Sequence, residues 1–260
     1  MEDQTVRLAR LGPVLHVRLE RPHVRNAINQ SMAAAVARAM DELDADPELR
    51  VAVLDGADNT FSAGMDFNAY LAGERPVVDD RGLLGIAKRP PEKPLIAAVE
   101  GHALGAGFET ALACDLVVAA ETAIFGLPEV RRGMVAGGGG LIHLAQRLPR
   151  AVASDVVLTG RLLRADEAAG WGLVSRVVPT GQALEAALEV AHQIADSPPV
   201  AVATAREVLA QARWWPLDRA FDHQAPYLQR VVDSPESRAG AQSFLQKRSA
   251  RPPRSPGSER

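Results

Sequence analysis

The 260-residue sequence is poor in cysteine, in net charge and in long apolar runs, and each shortage excludes a class of protein. Cys114 is the single cysteine, which excludes an internal disulfide and fits a reducing compartment. Its thiol lies in an apolar run, where we expect a buried, inert group. A net charge of -3 argues against nucleic acid as the main partner. Because no apolar run approaches the ~20 residues of a membrane span and the N-terminus lacks an apolar signal core, we expect a cytoplasmic protein with no membrane partner.

Short strands alternate with helices in the first 160 residues. Residues 14–19 alternate apolar and polar side chains, as a half-buried strand does. Apolar side chains recur at helical spacing from Met32 to Leu43, and residues 51–54, 95–99 and 116–119 are short apolar strands. The segment 104–113 is expected to form a helix between the last two of these strands. This alternation indicates an α/β fold with mainly crossover connections.

Beyond residue 160 the pattern is mostly helical. Leu184, Leu188, Ala191 and Ala195 mark one amphipathic helix, and residues 200–212 and 217–232 mark two more. Residues 172–178 are the exception, with the composition of a last strand. We therefore expect three parts along the chain: a core at 1–195, a helical C-terminal region at 196–250, and a disordered tail at 251–260.

Two glycine-rich turns carry the strongest indication of chemistry. They occupy residues 61–66 and 101–107, and turns of glycine and alanine leave backbone N–H groups uncovered to stabilise an anionic oxygen. Glu109 follows the second turn, and Glu129 lies twenty residues further on. Two carboxyl groups beside such an oxygen can move protons. The combination predicts acid–base chemistry on a carbon next to an activated carbonyl.

Each of these features also has a purely structural interpretation. Glu109 fits a solvated helix residue, and Glu129 fits a first-turn acid favoured by the helix dipole. His102 fits a hydrogen-bonded structural histidine. The glycines at 137–140 lack the Lys-Ser/Thr of a nucleotide-binding loop and indicate close backbone packing before a helix at 141–148. The pair Trp214-Trp215 fits a core or subunit contact.

The order and spacing of several motifs resemble the crotonase superfamily, also called the enoyl-CoA hydratase/isomerase family. The resemblance runs from Val14 to about Arg248. Its motifs are Arg21-Pro22, Arg25-Asn26-Ala27-Ile28-Asn29, Phe61-Ser62-Ala63-Gly64-Met65-Asp66, Lys93 to Gly101, Gly105 to Glu109, Ala113-Cys114-Asp115, Phe125 to Glu129, Leu158-Thr159-Gly160 and Gly172-Leu173-Val174.

The resemblance implies a spiral of repeated strand–strand–helix units with a helical C-terminal region, assembled as a homotrimer or a dimer of trimers. It implies an acyl-CoA thioester as substrate, with no metal and no cofactor beyond the CoA of the substrate. The backbone N–H groups of Met65 and Ala106 match the oxyanion hole, and Glu109 and Glu129 match the two catalytic glutamates. The residues that match the CoA-binding and substrate-binding positions are Arg25, Asn26, Ala27, Ala63, Gly64, Asp66, Phe67, Asn68, Gly105, Phe244 and Lys247.

The presence of both glutamates favours an enoyl-CoA hydratase, which adds water syn across a 2,3-double bond. An isomerase or a hydratase-lyase with the same oxyanion hole is the first alternative, and a non-catalytic acyl-CoA-binding or scaffold protein is the second. Asp66 and Asp115 also fit caps or turn residues. The sequence departs from common hydratases at two places: residues 141–145 are more apolar, and Ala106 replaces a glycine.

Overall fold

The computed structural model describes residues 5–249, with side chains described as far as residue 246. The chain divides into two compact units with their boundary between Asp196 and Ser197. The predicted tail at 251–260 lies outside the described residues. Within residues 5–249, no helix is both long and apolar enough to cross a membrane.

A six-stranded sheet forms the centre of the first unit. Its strands, in spatial order, are β1 (Val6–Leu11), β2 (Val14–Leu19), β3 (Val51–Gly56), β6 (Leu95–Val99), β8 (Leu116–Ala120) and β11 (Arg176–Val178). β1 and β2 form an antiparallel hairpin, and the other neighbours are parallel. Parallel strands need crossover connections, which places helices on the faces of the sheet.

Alternate residues of the central strands face two different apolar layers. Ala52 and Leu54 of β3 pack toward α1 (Gln30–Ala45), whereas Val51 and Val53 pack toward α7 (Ala183–Ala195). Successive side chains of a strand point to opposite faces, so a strand buried on both faces is apolar at every position. The continuous apolar runs of β3 and β6 have this cause.

A smaller sheet carries the second strand of each repeated unit. It contains β10 (Leu162–Arg164), β9 (Ile124–Gly126) and β7 (His102–Leu104), and a parallel bridge from Ser62 to Ala103 extends it. Strands β6 and β7 are followed by α3 (Ala106–Ala113), and β8 and β9 by α4 (Gly140–Arg147). This repetition is the crotonase-type strand–strand–helix spiral that the sequence predicts.

The remaining elements of the first unit connect these repeats. They are α2 (Phe67–Leu71), the hairpin of β4 (Val77–Val78) and β5 (Gly82–Leu83), α5 (Arg150–Thr159) and α6 (Ala165–Gly170). Cys114 is buried, as predicted, with its Sγ 3.4 Å from the carbonyl oxygen of Thr110. His102 lies in β7 with its side chain exposed.

Several predicted elements differ in their bounds or in the face they bury. Helix α7 buries Ala183, Ala187, Val190 and Ala191, a face shifted from the one marked by Leu184 and Leu188. The expected strand at 172–178 forms only at Arg176–Val178, and the helix expected at 104–113 begins at Ala106 because residues 102–104 join the small sheet.

The second unit consists of three helices. They are α8 (Pro199–Ala212), α9 (Ala220–Val232) and α10 (Pro235–Ser249). Trp215 contacts the rings of His223 and Tyr227, with centroids 5.7 and 5.9 Å apart, whereas Trp214 is exposed. Within the chain, Trp214 is therefore not the core residue that one interpretation of the sequence predicts.

Candidate active site

Glu109 lies in the first turn of α3 and is 3% exposed, so it is not a solvated helix residue. Its Oε1 accepts two backbone hydrogen bonds, from the N–H of Gly138 at 2.7 Å and from the N–H of Gly140 at 2.9 Å. A buried carboxylate requires such partners, because removing its charge from water is otherwise costly. The glycine run therefore holds a carboxyl group in place.

Glycine is required where the run approaches Glu109. A Cβ at Gly138 would lie 2.9 Å from Glu109 Oε2 and would also clash with Leu83, and a Cβ at Gly140 would lie 3.0 Å from Glu109 Cγ. The sequence predicts close backbone packing here, and the structure adds that the packed group is a candidate catalytic side chain. The sequence feature that could have indicated this contact is the run of four glycines before a helix, which lacks the residues of a nucleotide-binding loop.

Glu129 approaches the same region from a short 3₁₀ turn at Pro128–Arg132. Its side chain is half-buried, and its Oε2 is buried without a hydrogen-bond partner among the described residues. Its Oε1 would lie 3.0 Å from a Cβ placed on Gly105, the residue before α3. A buried polar atom with no partner costs stability, and such atoms in native proteins point to a functional role.

Both carboxyl groups have a pKa above the ordinary value for glutamate. Burial is the main cause for Glu109, and the charge of Glu129 raises its pKa further, while the N–H groups of Gly140 and Gly138 act in the opposite direction. Burial also raises the pKa of Glu129, opposed by its own backbone N–H and by Arg132. Two nearby acids resist joint ionisation, so the pair retains a proton more readily than two isolated glutamates.

The backbone N–H of Met65 points away from the segment that holds it. The carbonyl of Gly64 accepts from the N–H of Ile28 at 2.8 Å, and the N–H of Asp66 donates to the carbonyl of Ile28 at 2.9 Å. Because the N–H and C=O of one trans peptide are opposed, the N–H of Met65 is directed to the side opposite Ile28. Among residues 5–249, no hydrogen bond uses this N–H.

The backbone N–H of Ala106 opens the first turn of α3. The carbonyl of Gly105 accepts from the N–H of Glu109 at 2.9 Å, so the opposed N–H of the same peptide, that of Ala106, points out of the N-terminal end of the helix. In the described part of the chain this N–H also has no acceptor. The positive end of the helix dipole adds to its preference for an anionic oxygen.

Gly64 brings the two N–H groups together. Its φ is +107°, and a Cβ on it would lie 2.8 Å from the carbonyl oxygen of Leu104 and 3.6 Å from the backbone nitrogen of Ala106. A side chain at this position would separate the two turns. The structure therefore places the Gly64–Met65 turn beside Ala106, with Glu129 against Gly105.

The residues predicted to bind CoA separate into buried and exposed groups. The carboxamide of Asn26 is fully buried and bonds the backbone of Arg21, Ala57 and Thr60, so it holds the turn together instead of facing a ligand. Asp66 is nearly buried and caps α2. Gly64 and Gly105 are buried, and Ala27 is half-buried. The exposed members are Arg25, Ala63, Phe67 and Asn68.

The last two predicted contacts lie in the second unit. Phe244 is exposed in α10, and the side chain of Lys247 lies outside the described side chains. The carboxylate of Asp115 accepts from the N–H of Leu95, which fits the turn role predicted for it. Within residues 5–249, no three side chains of the types His, Cys, Asp and Glu come close enough to hold a metal ion.

Known proteins resemble this chain over nearly its whole length. An enoyl-CoA hydratase of Mycobacterium tuberculosis H37Rv has 43% identity and a TM-score of 0.91, covering 94% of this chain and 97% of that one. A carnitinyl-CoA hydratase of Mycobacterium avium has 38% identity and a TM-score of 0.76, covering 94% and 96%. A carnitinyl-CoA dehydratase of Salmonella typhi is 38% identical over 254 residues, which are 95% of this chain and 97% of that protein.

These relatives are named as hydratases or dehydratases, and the chain is an enzyme of that hydro-lyase class. Residues 10–251 match the sequence model of the family described as enoyl-CoA hydratase/isomerase. The fold and its strand–strand–helix repeats agree with that match. The chain therefore belongs to the enoyl-CoA hydratase/isomerase family.

Proposed function

We propose that this protein is an enoyl-CoA hydratase, which adds water syn across the 2,3-double bond of an acyl-CoA thioester. One observation carries the proposal: two carboxyl groups with raised pKa values, one buried and one half-buried, lie beside two backbone N–H groups that have no acceptor among the described residues. Hydration of a conjugated thioester needs these parts, namely a base for water, an acid for carbon and a site for the enolate oxygen.

Glu109 is suited to activate the water. Two N–H groups on its Oε1 favour the ionised form, and Oε2 takes no part in those bonds. In the proposed step the water oxygen bonds to C3 and a water proton passes to Glu109. The electrons of the double bond move onto the thioester oxygen, and the N–H groups of Met65 and Ala106 hold the resulting enolate.

Glu129 is suited to deliver the second proton. Its buried Oε2 has no described partner to stabilise a charge there, and burial raises its pKa, so the protonated form is favoured more than in water. The enolate collapses and takes this proton at C2, which leaves Glu129 ionised and Glu109 protonated. Proton exchange with solvent restores the starting state, and the reverse sequence is a dehydration.

The exposed residues near the two turns are the candidates for holding CoA. Arg25 supplies a positive charge, and its carbonyl accepts from the N–H of Ala63 at 2.9 Å, so the two predicted CoA-binding segments are joined. We propose that these residues, with Phe67 and Asn68, contact the CoA portion. The proposal requires no cofactor beyond CoA and includes assembly as a homotrimer or a dimer of trimers, with contributions from Phe244 and Lys247.

Two other functions use parts of the same site. An isomerase needs only one acid to carry a proton between carbons, and a hydratase-lyase begins with the same hydration. The two N–H groups that hold the carboxyl group of Glu109 favour a reaction in which a second acid acts on water, as in a hydratase, over an isomerase with one proton-carrying acid. A non-catalytic acyl-CoA-binding protein has no use for a buried, unpartnered carboxyl oxygen that costs stability, and Glu129 Oε2 therefore disfavours this alternative.

The proposal is tested with a panel of enoyl-CoA esters of varied chain length and branching, including one derived from carnitine. Gain of one water is followed by mass spectrometry. We expect hydration by the wild type, and losses of roughly 10²–10⁴ in turnover for Glu109→Gln and for Glu129→Gln. Thioester affinity is expected to change little in both variants, because neither substitution changes size.

A second measurement separates the two carboxyl groups. In D₂O, exchange of the α-hydrogen of butyryl-CoA needs an acid–base group at C2 but no attacking water. We expect Glu109→Gln to keep this exchange and Glu129→Gln to lose it. Nearly full hydration by Glu109→Gln would show that the water is activated elsewhere and would favour the isomerase.

A further inference from the structure

One nitrogen of Arg21 joins the two chain segments that flank the N–H of Met65. Arg21 Nη1 donates to the carbonyl oxygen of Ala27 at 2.6 Å and to Asp66 Oδ2 at 2.9 Å. Both charged side chains are nearly buried, with 13% and 11% of their side-chain surface exposed. An ion pair with this little exposure and an added hydrogen bond to backbone is screened much less than a surface pair.

The two segments are the ones whose pairing directs the proposed oxyanion donor. Ile28, the residue after Ala27, bonds the carbonyl of Gly64 and the N–H of Asp66, on either side of Met65. The Arg21–Asp66 ion pair adds a side-chain connection between the same two segments that these backbone hydrogen bonds join. Besides this pair, the two backbone bonds to Ile28 are what hold the residues directly on either side of the Met65 N–H against that segment.

The negative charge of Asp66 lies next to the proposed oxyanion donor in the chain, so its neutralisation affects the enolate oxygen. Asp66 follows Met65 directly, and its Oδ1 accepts from the N–H groups of Asn68 and Ala69 at 3.0 and 3.2 Å as the N-cap of α2. Burial acts to raise its pKa, but the Ala69 N–H and the Arg21 guanidinium outweigh burial and hold the pKa below the ordinary value. An ionised carboxylate without a counter-charge would repel an enolate oxygen held at Met65.

We propose that Arg21 and Asp66 are positioning residues for the reaction: the pair holds the Met65 N–H toward the enolate oxygen and cancels the negative charge beside it. The inference rests on the proposed function. Neither side chain contacts the substrate in this account, in which Arg21 Nη1 and both carboxylate oxygens of Asp66 bond protein groups. Their effect is therefore on kcat and on enolate stabilisation, and only weakly on the binding of a ground-state thioester.

Four variants isolate the pair. Arg21→Gln removes the charge, Arg21→Lys keeps a charge without the planar guanidinium, and Asp66→Asn keeps an N-cap oxygen while it removes the pairing charge. Arg75→Gln is the matched control, since Arg75 lies close to α2 in sequence, is exposed and stacks on Tyr70 at 4.4 Å without pairing to Asp66.

The first readout is steady-state hydration. We expect Arg21→Gln and Asp66→Asn to lose about 10- to 100-fold in kcat with KM changed by less than about threefold, because a misdirected donor weakens only the transition state. Arg21→Lys should recover part of the loss, and Arg75→Gln should match the wild type. A rise in KM with kcat unchanged would overturn the inference by assigning Arg21 to substrate binding, as would a loss no larger than that of Arg75→Gln.

The second readout does not require turnover. Acetoacetyl-CoA forms an enolate that absorbs in the near ultraviolet. The fraction of enzyme-bound acetoacetyl-CoA that is in the enolate form reports how strongly the site stabilises the enolate oxygen. We expect the pH midpoint of enolate formation to lie higher in Arg21→Gln and Asp66→Asn than in the wild type. An unchanged midpoint overturns the inference, even for a protein that fails to hydrate. If Arg21→Gln does not fold, Asp66→Asn and Arg21→Lys give the same comparison.

Discussion

At the scale of single residues, the two candidate catalytic carboxyl groups differ in their polar surroundings. Glu109 has two backbone N–H groups on one oxygen, whereas one oxygen of Glu129 is buried without a described partner. The residue type is the same, and the protonation preference is decided by the neighbours. Such an arrangement stores unfavourable free energy in the folded state, which gives a measurable dependence of stability on pH.

The free energy of unfolding is expected to fall with pH because of Glu129. Its pKa is higher in the folded chain than in the unfolded chain, so the folded state binds more protons between the two values. The penalty is absent below the unfolded value of about 4.3 and develops as pH rises through the folded value. Glu129→Gln should therefore be more stable than the wild type at about pH 8 and equal to it near pH 4.

Urea unfolding at the two pH values measures this difference. Glu121→Gln, which changes an exposed side chain, serves as the control and is expected to show the same stability difference from the wild type at both. If Glu129→Gln is no more stable than the wild type at the higher pH, burial of the ionised carboxylate of Glu129 does not lower the free energy of unfolding, contrary to this prediction.

The proposed oxyanion donor at residue 106 is expected to be removable without changing an acidic side chain. Ala106→Pro removes the N–H, and at the first position of α3 proline loses no intrahelical hydrogen bond. We expect a folded protein with turnover reduced roughly 10²–10³-fold or more, since the ring also fills space in front of the peptide. Circular dichroism checks the fold, and hydration rates check the loss.

Ala106→Gly is the control for this substitution. It keeps the N–H and is expected to retain most activity, with a small loss of helix stability. A folded Ala106→Pro protein with near-normal hydration would place the enolate oxygen elsewhere and would remove the proposed mechanism.

At the scale of elements, the site depends on turns that approach one another more closely than side chains allow. Gly64 faces the carbonyl of Leu104, Gly105 faces Glu129, and Gly138 faces Glu109. Each contact joins a different strand–helix connection of the spiral. The repeated units therefore supply rigid supports, and the turns between them supply the chemistry.

Gly64→Ala is expected to damage catalysis more than stability alone explains. Gly64 and Gly73 both have positive φ values, +107° and +93°, so alanine is strained at either position by about 1–2 kcal/mol. A Cβ at Gly64 clashes with Leu104, whereas a Cβ at Gly73 meets nothing within 4 Å. We expect both variants to lose stability and only Gly64→Ala to lose turnover, by about 10²-fold.

Thermal unfolding and hydration kinetics of the two variants provide the comparison. Gly73→Ala accounts for the backbone strain, so any excess loss of kcat in Gly64→Ala measures the separation of the Met65 and Ala106 turns. Equal kcat values in the two variants would mean that close approach of these turns is not needed.

At the scale of the whole molecule, several large apolar side chains of the second unit are exposed. Leu217 and Phe221 are 87% and 80% exposed, and Leu209, Trp214 and Phe244 are also exposed. Large apolar side chains left exposed in one unit are typical of an interaction surface. It supports the proposed assembly of identical chains, in which the helical region contacts neighbouring copies.

Removing residues 243–260 is expected to weaken CoA binding or assembly, because it deletes Phe244 and Lys247. Removing only residues 252–260 should leave both properties unchanged and serves as the control. Sedimentation velocity and titration with CoA measure the two effects. Identical behaviour of the two truncated proteins would dismiss the proposed roles of Phe244 and Lys247.

The sequence alone determined the local features of this protein and the family to which it belongs. The apolar positions of α1, the strands β2, β3, β6 and β8, and the glycine turns before Met65 and Ala106 are encoded within a few neighbouring residues. Strand β1 escaped prediction because its edge position leaves most of its side chains partly or fully exposed. Helix α10 was predicted only as part of the helical region 196–250, without bounds of its own, because charged and polar residues dominate it.

Only the tertiary structure decided which distant groups meet. The two N–H bonds to Glu109 come from residues about thirty positions away, and the Arg21–Asp66 pair spans 45 positions. Asn26 lies inside the fold because its carboxamide forms hydrogen bonds with three backbone groups of the surrounding turns. Helix α7 buries a face shifted from its leucines because small side chains fit closest to the sheet. Helical and strand periods are set by local backbone geometry, whereas convergence depends on crossover connections that bring separate turns of the spiral into contact.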